Sequence, residues 1–476
     1  MISQQNQNDN KRIGVFIPSA LTESFEIVLA RCVELNKVGA DLYLIICSGE
    51  FSGCVANPLS VPGACSHCVQ IQKKAISENL PKSTKIILQK PSDKARKEVS
   101  SSISEEIKNS SESTVLTFYR TKPNIITQNP LKKYLFEYIY EKYNEYGTNT
   151  YASLIGEKKI RDLLRIEFFN GRINPTRAVM LAAKTLNIGY STIEVSGLHK
   201  LLFVTDNESV HDLTYHRKEI MMYASSKLAH KEIGVSYFEA KRNGISTNDI
   251  SHIQKQVKGA LSLHNDLPII AIFTSSADEQ EISGDQWFTE ASKNPILFIE
   301  ELAKSLAGRY NIVIRMHPNQ AGDKTGEAER MIKVFSKNKS VHLIRPNDIQ
   351  STYELIDQAS CVLSFSSTVG LEATYWGKPS ILAGRAPWDQ LDIAYYVEST
   401  ADVVSLLSKK IDARSRDDAI KVGAFYMLGT GTKSALEYQK NGTTGFSVNG
   451  KSYLSEKRSS AIYWVIRVID KVLRLV

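Results

Sequence analysis

"CVLSFSSTVGLEATYWGKPSIL" spans residues 361–382. An apolar run ends in three hydroxyls, Ser366, Ser367 and Thr368, and continues into a segment with one carboxylate, Glu372. Gly377-Lys378-Pro379 closes that segment, and a second apolar run follows at 380–384. Short apolar run, hydroxyl turn, helix-compatible stretch and second run make a strand–helix–strand unit of a parallel sheet. The hydroxyls stand where the helix begins. A helix start leaves backbone N–H groups without intrahelical partners and carries the positive end of the dipole, so this turn suits an anion. Ser and Thr there also serve as plain caps. The rest of the chain has to decide between the two.

Outward from that stretch, strands are expected at 269–274, 311–318, 341–346, 361–367 and 380–384, with helices such as 294–309 and 351–359 between them. Five strands alternating with helices predict a doubly wound domain, whose ligands bind beyond the carboxyl ends of the strands. The residues at those ends are chemically apt. Thr274, Ser275 and Ser276, then Asp278 and Glu279, follow the first strand; Arg315 and His317 end the second; Arg345 and Asn347 end the third; Ser366, Ser367 and Thr368 end the fourth. On one rim, the hydroxyls and free N–H groups would hold phosphate, and Arg315 and His317 would add charge-assisted hydrogen bonds. Glu372 would accept from a ribose or sugar hydroxyl. Asp278 and Glu279 would either bond donor hydroxyls or cap the next helix.

The first half repeats the architecture. Strands at 12–19 and 41–47 flank a helix that Thr22 or Ser24 can cap and Gly39 can end. Further strands are expected at 85–89 and 115–120, with a surface helix over 132–146. The strand at 166–169 ends at Asn170-Gly171-Arg172, Asn174-Pro175-Thr176 opens a helix, and the next strand ends near Glu194. Residues 208–260 read as mostly helical, and Asn265-Asp266 as the hinge. The fold class is therefore α/β, with domains at 1–262 and 263–440 and a tail at 441–476. The stretch 455–476 forms an amphipathic helix, with Ile462, Val465, Ile466, Ile469, Val472, Leu473 and Val476 on one face and Arg467, Lys471 and Arg474 on the other. It either packs back on the first domain or lies on an anionic membrane surface.

Composition limits the function. The chain has 476 residues, enough for two cores. The 59 Lys and Arg against 51 Asp and Glu leave a net charge of +8, which suits an anionic small ligand or membrane surface and is too diffuse for nucleic acid. The polar start lacks the apolar segment of a secretory signal, and nowhere do about 18 apolar residues run together. A cytoplasmic protein is expected, with its six cysteines as thiols or metal ligands rather than disulfides. There is no G-x-G-x-x-G, no phosphate-loop lysine motif and no G-x-S-x-G, which disfavours hydride transfer, P-loop hydrolysis and serine hydrolysis. Cys47, Cys54, Cys65 and Cys68 crowd one loop after a strand, ending in C-x-x-C. They form a candidate structural zinc site in which His67 could replace one ligand. A redox pair, an iron–sulfur cluster and ordinary reduced cysteines stand beside it.

"RMHPN" at 315–319, "SSTVGLEATYWGKPSI" at 366–381, "FFNGR" at 168–172 and "FTSSADE" at 273–279 resemble the GT-B glycosyltransferases of bacterial surface polysaccharide synthesis. Capsule-type enzymes and polymer glycerol-phosphate transferases are the nearest groups. The resemblance covers most of residues 12–410. It implies two Rossmann-like domains facing a cleft and a sugar moved from a nucleotide-sugar donor to a glycan or lipid-linked glycan. It implies that His317, Ser366 and Ser367 hold the donor phosphate, with Glu372, Arg315, Thr368, Ser275, Ser276 and Glu279 nearby. Asn170 and Arg172 would face the acceptor. Glu194, then Asp212, is the candidate general base, and either could instead be a structural acid. No Asp-x-Asp motif is evident, so no catalytic metal is expected. A similar cysteine-rich loop in capsule-type proteins favours a structural metal. The tail, 456–476, would contact the inner membrane surface. A nucleotide-sugar 2-epimerase, a transferase of a CDP-activated polyol phosphate and a non-catalytic subunit of a polysaccharide assembly machine are the rivals.

Overall fold

The computed structural model describes residues 12–475 except 52, 92–97, 120–129, 196–200, 211, 227–229, 246–254, 258, 260, 262, 264–265, 276–284, 323–325, 339, 429–431, 434–435, 440–444, 454–456 and 459. Contacts divide it into two compact units. One combines Met1–Tyr119, Ile126–His211 and Gly429–Val476; the other contains Asp212–Leu428. The sequence placed its boundaries at 262/263 and 440/441 instead. The helices before 262 and the segments after 428 therefore change sides relative to that division.

In the first unit the elements run β1 (Arg12–Phe16), α1 (Ser24–Lys37), β2 (Asp41–Cys47), α2 (Ala64–Asn79), β3 (Lys85–Gln89), α3 (Ser101–Tyr119), α4 (Pro130–Gly156), β4 (Arg165–Phe169), α5 (Thr176–Thr185), β5 (Gly189–Val195) and β6 (Leu201–Val204). The sheet order is β13-β6-β5-β4-β1-β2-β3, where β13 is Thr432–Lys433. Strands β1 to β5 are parallel, and β6 and β13 pair antiparallel at the edge. The central strands are apolar on both faces because helices cover both. Val15, Leu44 and Ile46 face one core with α1, while Phe16, Ile45, Ile166 and Phe168 face the other with α5.

The second unit begins with α6 (Leu213–Ser225) and α7 (Lys231–Arg242). It continues through β7 (Ile269–Phe273), α8 (Pro295–Ser305), β8 (Asn311–Arg315), α9 (Glu327–Phe335), β9 (Val341–Ile344), α10 (Thr352–Gln358), β10 (Cys361–Ser364), α11 (Thr368–Tyr375), β11 (Ser380–Leu382), β12 (Tyr395–Tyr396), α12 (Thr400–Leu407) and α13 (Arg416–Leu428). Its six strands are all parallel, in the order β12-β11-β10-β7-β8-β9. The five strands expected here are all present, and both units are doubly wound. Helices α7 and α13 cross closely because glycines meet there. A Cβ on Gly234 would stand 2.1 Å from the Ile420 carbonyl oxygen, and one on Gly423 would stand 3.0 Å from the Gly234 carbonyl. That packing places residues 213–242 with the second sheet.

Three local expectations are corrected. Residues 115–119 are the end of helix α3, not a strand, because Ile107, Ser111, Thr114 and Val115 recur at helical spacing and are all buried. Helix α4 is longer than expected, and it is not simply a surface helix, since Ile139, Tyr143 and Tyr146 are buried. Neither Thr22 nor Ser24 caps α1; Glu23 is its N-cap without a side-chain bond, and the two hydroxyls bond each other at 2.8 Å. Asn265 of the expected hinge lies outside the described residues.

The chain returns to the first unit after α13. Hairpin β14 (Leu436–Gln439) and β15 (Gly445–Val448) precede the tail helix α14 (Ala461–Leu475). Val448 and Tyr453 enter the core shared with α1. Ile462 lies against Gly63 and Ile466 is buried, while Trp464, Val465 and Val468 are exposed. The side chains of residues 469, 472, 473 and 476 lie outside the described residues. Among the described residues no helix is long and apolar enough to cross a membrane. The return is fixed by Lys457, whose Nζ reaches Glu26 Oε1 at 2.7 Å and Oε2 at 2.8 Å, with both residues 3% exposed. Burial pushes the Glu26 carboxyl up, against the pull of Lys457. Lys457→Met leaves that charge alone and is expected to cost about 3–5 kcal/mol in urea unfolding at neutral pH. The deficit should shrink as pH falls through the raised pKa, because a neutral carboxyl tolerates burial. A deficit independent of pH would assign the loss to packing.

Candidate functional site

The second sheet reverses direction between β7 and β10. From β7 the chain steps outward to β8 and β9, then returns to lay β10 on the opposite side of β7. The connections beyond the carboxyl ends of β7 and β10 therefore depart in opposite directions and leave a crevice. The residues at those ends are Thr274 and Ser275 on one side and Phe365 and Ser366 on the other, with His317 beyond β8. The hydroxyl turn before α11 thus lies at the reversal.

The backbone there is shaped for close approach. Ser366 has φ 119°, a left-handed value that favours glycine. A Cβ on Gly384, just past β11, would stand 2.5 Å from the Phe365 carbonyl oxygen and 2.6 Å from Ser366 Oγ. Ser367 caps α11, accepting the Val369 N–H at 3.3 Å. The hydroxyl oxygens of Ser275, Ser364, Ser366 and Ser380 are buried and have no hydrogen-bond partner among the described residues. Two of these, Ser275 and Ser366, stand on the two sides of the reversal.

His317 is half-buried. Its N–H donates to Thr274 Oγ1 at 3.0 Å and to Gln320 Oε1 at 2.9 Å, and its Nδ1 accepts the Asn319 N–H at 3.2 Å. With Nδ1 an acceptor, the neutral ring carries its proton on Nε2 and can donate it. Arg315 sits lower, 3% exposed, and donates from Nη1 to the Asp348 carbonyl at 3.1 Å. Burial depresses it to about 10, with Asp348 opposing. Ser276, Asp278 and Glu279 lie outside the described residues.

Glu372 is 3% exposed and engaged within the fold. Its Oε1 accepts from Lys241 Nζ at 2.7 Å and Thr368 Oγ1 at 3.1 Å, and its Oε2 accepts from Tyr353 at 2.7 Å. Burial alone would lower the Lys241 ammonium; Glu372 overrides it and raises it. Lys241 and Tyr353 were not legible as site residues. They lie 131 and 19 positions from Glu372, and no spacing rule links them.

In the first unit the order reverses between β1 and β4. Ser19 lies beyond one strand; Asn170, Gly171 and Arg172 lie beyond the other. Asn170 and Gly171 have φ 62° and 80°. Asn170 Nδ2 donates to Glu194 Oε2 at 2.9 Å, and the Val195 N–H donates to Oε1 at 3.1 Å. Burial raises the Glu194 carboxyl, while Asn170, the Val195 N–H and the Arg172 charge oppose it. Asp212 is the N-cap of α6 and accepts the Tyr215 N–H at 2.9 Å, a structural role. Glu167 on β4 was overlooked. It is fully buried and bonded to Arg31 at 2.7 Å and Arg165 at 2.9 Å.

Cys47, Cys54, Cys65 and Cys68 line one cavity of about 30 Å³ with Ile17, Phe51 and Tyr146. All are free thiols, and burial pushes Cys47 up to about 11 and raises Cys54 and Cys68 as well. Among the described residues no three His, Cys, Asp or Glu side chains are arranged to hold a metal ion. His67 does not line the cavity.

No protein-family model matches the chain, and no curated protein matches it in sequence. Among solved structures it is similar to the KpsC beta Kdo 2,4 transferase of Thermosulfurimonas dismutans, with 14% identity and TM-score 0.38 over 55% of this chain and 79% of that one. It is similar to the beta Kdo 2,7 transferase of the same organism, with 12% identity and TM-score 0.35 over 64% and 85%. It is also similar to the UDP-GlcNAc 2-epimerase of Neisseria meningitidis bound to UDP-GlcNAc, with 15% identity and TM-score 0.31 over 88% and 98%. These neighbours include both transferases and an epimerase.

Holding an L-residue at φ 119° costs roughly 1–3 kcal/mol. Ser366→Gly removes that strain and one buried hydroxyl, and returns roughly 0.5–1 kcal/mol as glycine entropy. The variant is expected to be more stable by about 1 kcal/mol in urea unfolding. A less stable variant would show that Ser366 holds the turn together.

Proposed function

We propose that the chain is a glycosyltransferase that moves a sugar from a nucleotide-sugar donor to a growing cell-surface polysaccharide. The observation that carries the reading is the reversal between β7 and β10, with its Ser275 and Ser366 hydroxyls that have no partner among the described residues, the α11 amides and the Nε2–H of His317. These donors are of the kind that bind a diphosphate and stabilise it as a leaving group. Glu372, locked by Lys241 and Tyr353, positions α11 and does not itself meet the sugar. The acceptor belongs to the first unit, at the β1/β4 reversal. There Glu194 takes the proton of the attacking hydroxyl, and Asn170 and Arg172 orient it. The bond from the sugar's anomeric carbon to phosphate breaks, the bond to the acceptor oxygen forms, and the electron pair leaves on phosphate.

A thermal-shift screen against CMP, CDP, UDP, GDP and their sugars tests the donor half. A ligand at 100-fold its Kd adds about 2.7 kcal/mol. One base should stand out, and His317→Ala should abolish the shift. A folded protein that responds to none sinks the reading, and turnover of nucleotide sugar without acceptor makes the protein an isomerase. The catalytic half is read from pH. A general base must be ionised, so transfer should rise with pH through the raised Glu194 pKa, above the ordinary carboxylate range. Glu194→Gln should lower kcat by about 10²–10⁴ and remove that limb. An unchanged limb would assign the base elsewhere.

A further inference from the structure

Helix α14 carries two apolar faces, and the fold uses one of them. Ile462 and Ile466, one turn apart, turn inward. Ile466 is buried, and a Cβ on Gly63 would stand 2.8 Å from Ile462 Cδ1. Ala461, Trp464, Val465 and Val468 recur at i, i+3, i+4 and i+7, so they share a second face, and all four are exposed. Packing within the chain explains the first face and leaves the second without a use. An exposed apolar row led by a tryptophan marks an interaction surface.

Charge selects the partner. Arg467 and Lys471 are exposed and lie three positions beyond Trp464 and Val468, so they border the apolar row. Lys457 is consumed by Glu26, but residues 458–476 still hold Arg458, Arg467, Lys471 and Arg474 against one acid, Asp470. An apolar row edged by cations complements a surface that is anionic outside and apolar beneath. It does not complement a second copy of itself, which would bring like charges to the same face.

Trp464 is prepared for such a surface. Its Nε1–H donates to the Arg458 carbonyl at 3.0 Å, and the Tyr463 ring packs edge-on with centroids 5.7 Å apart. The polar edge of the indole therefore has its partner, and the ring can leave water without losing a hydrogen bond. Tryptophan and tyrosine are the residues that concentrate at the level of lipid headgroups.

We propose that α14 seats the protein on the surface of an anionic phospholipid bilayer. The helix lies along the headgroup region with Trp464, Val465 and Val468 toward the acyl chains, and Arg467 and Lys471 extend to lipid phosphates. It lies on the bilayer rather than through it, since no helix among the described residues is long and apolar enough to cross. The proposal stands independently of the transferase reading, because its readout is partition into lipid.

The test is co-sedimentation of the full chain with phosphatidylcholine vesicles, with and without phosphatidylglycerol. Binding is expected only where phosphatidylglycerol is present, and it should weaken as salt rises because the attraction is screened. Arg467→Gln and Lys471→Gln should each weaken binding about fivefold, and Trp464→Ser about tenfold. Should Trp464→Ser fail to fold, the two charge variants, at exposed positions, decide. A folded chain that stays in solution with every vesicle would overturn the proposal. So would equal binding to neutral vesicles, or binding that all three variants retain. Dimerisation that Trp464→Ser abolishes, in a chain that ignores vesicles, would overturn it in favour of a second copy on this face.

Discussion

The second unit depends on a carboxylate that never meets solvent. Glu372 lies in the short helix that starts at the hydroxyl turn, and leaving it unpaired there would cost several kcal/mol. Lys241 from α7 and Tyr353 from α10 come to it from different elements, so the pair also works as a clamp. The stack of Phe238 on Tyr375, with ring centroids 4.1 Å apart, lies beside it. Arg242 covers Trp376 at 4.4 Å. With α11 held on these sides, its first turn is fixed at the sheet reversal, and the Ser366–Thr368 amides need little reordering to receive an anion. Preorganisation of that kind would serve the phosphate binding proposed for this turn.

Acidic residues of the first unit show how position along a strand decides fate. Glu167 lies in the middle of β4, where no water reaches, and is held by Arg31 and Arg165. Glu194 lies near the end of β5, half-buried, with an amide and a backbone N–H for company and a positive charge nearby. The first can only be structural. The second keeps a carboxyl that burial raises and that Asn170, the Val195 N–H and the Arg172 charge pull back.

Both sheets were legible because buried parallel strands are continuous apolar runs, and runs such as "IIAIF" and "DLYLIIC" have few other readings. Strand ends were legible for the same reason, which is why Ser366 and His317 could be placed beyond β10 and β8. "VLTFY" failed because its β-branched and aromatic residues match a strand, while burial of Ser111 and Ile107, one and two turns before Val115, imposes helix. Glu372 was assigned to a sugar because nothing along the chain announces Lys241. Asp212 was assigned to chemistry because a capping acid and a catalytic acid look alike until the Tyr215 N–H is seen to meet it. The cysteines were visible as a group, but the space between them exists only in three dimensions.

The chain leaves the first unit after β6 and returns to it at β13, which pairs with β6. That sets an order of completion during synthesis. Residues 212–428 are contiguous and can close their own core as soon as they emerge. The first unit cannot: its sheet lacks an edge strand, its α1 core lacks Val448 and Tyr453, and Glu26 lacks its counter-charge until Lys457 has been made. The N-terminal unit is therefore the last to finish, and a nascent chain stopped anywhere before Lys457 carries an incomplete core that chaperones and proteases can recognise.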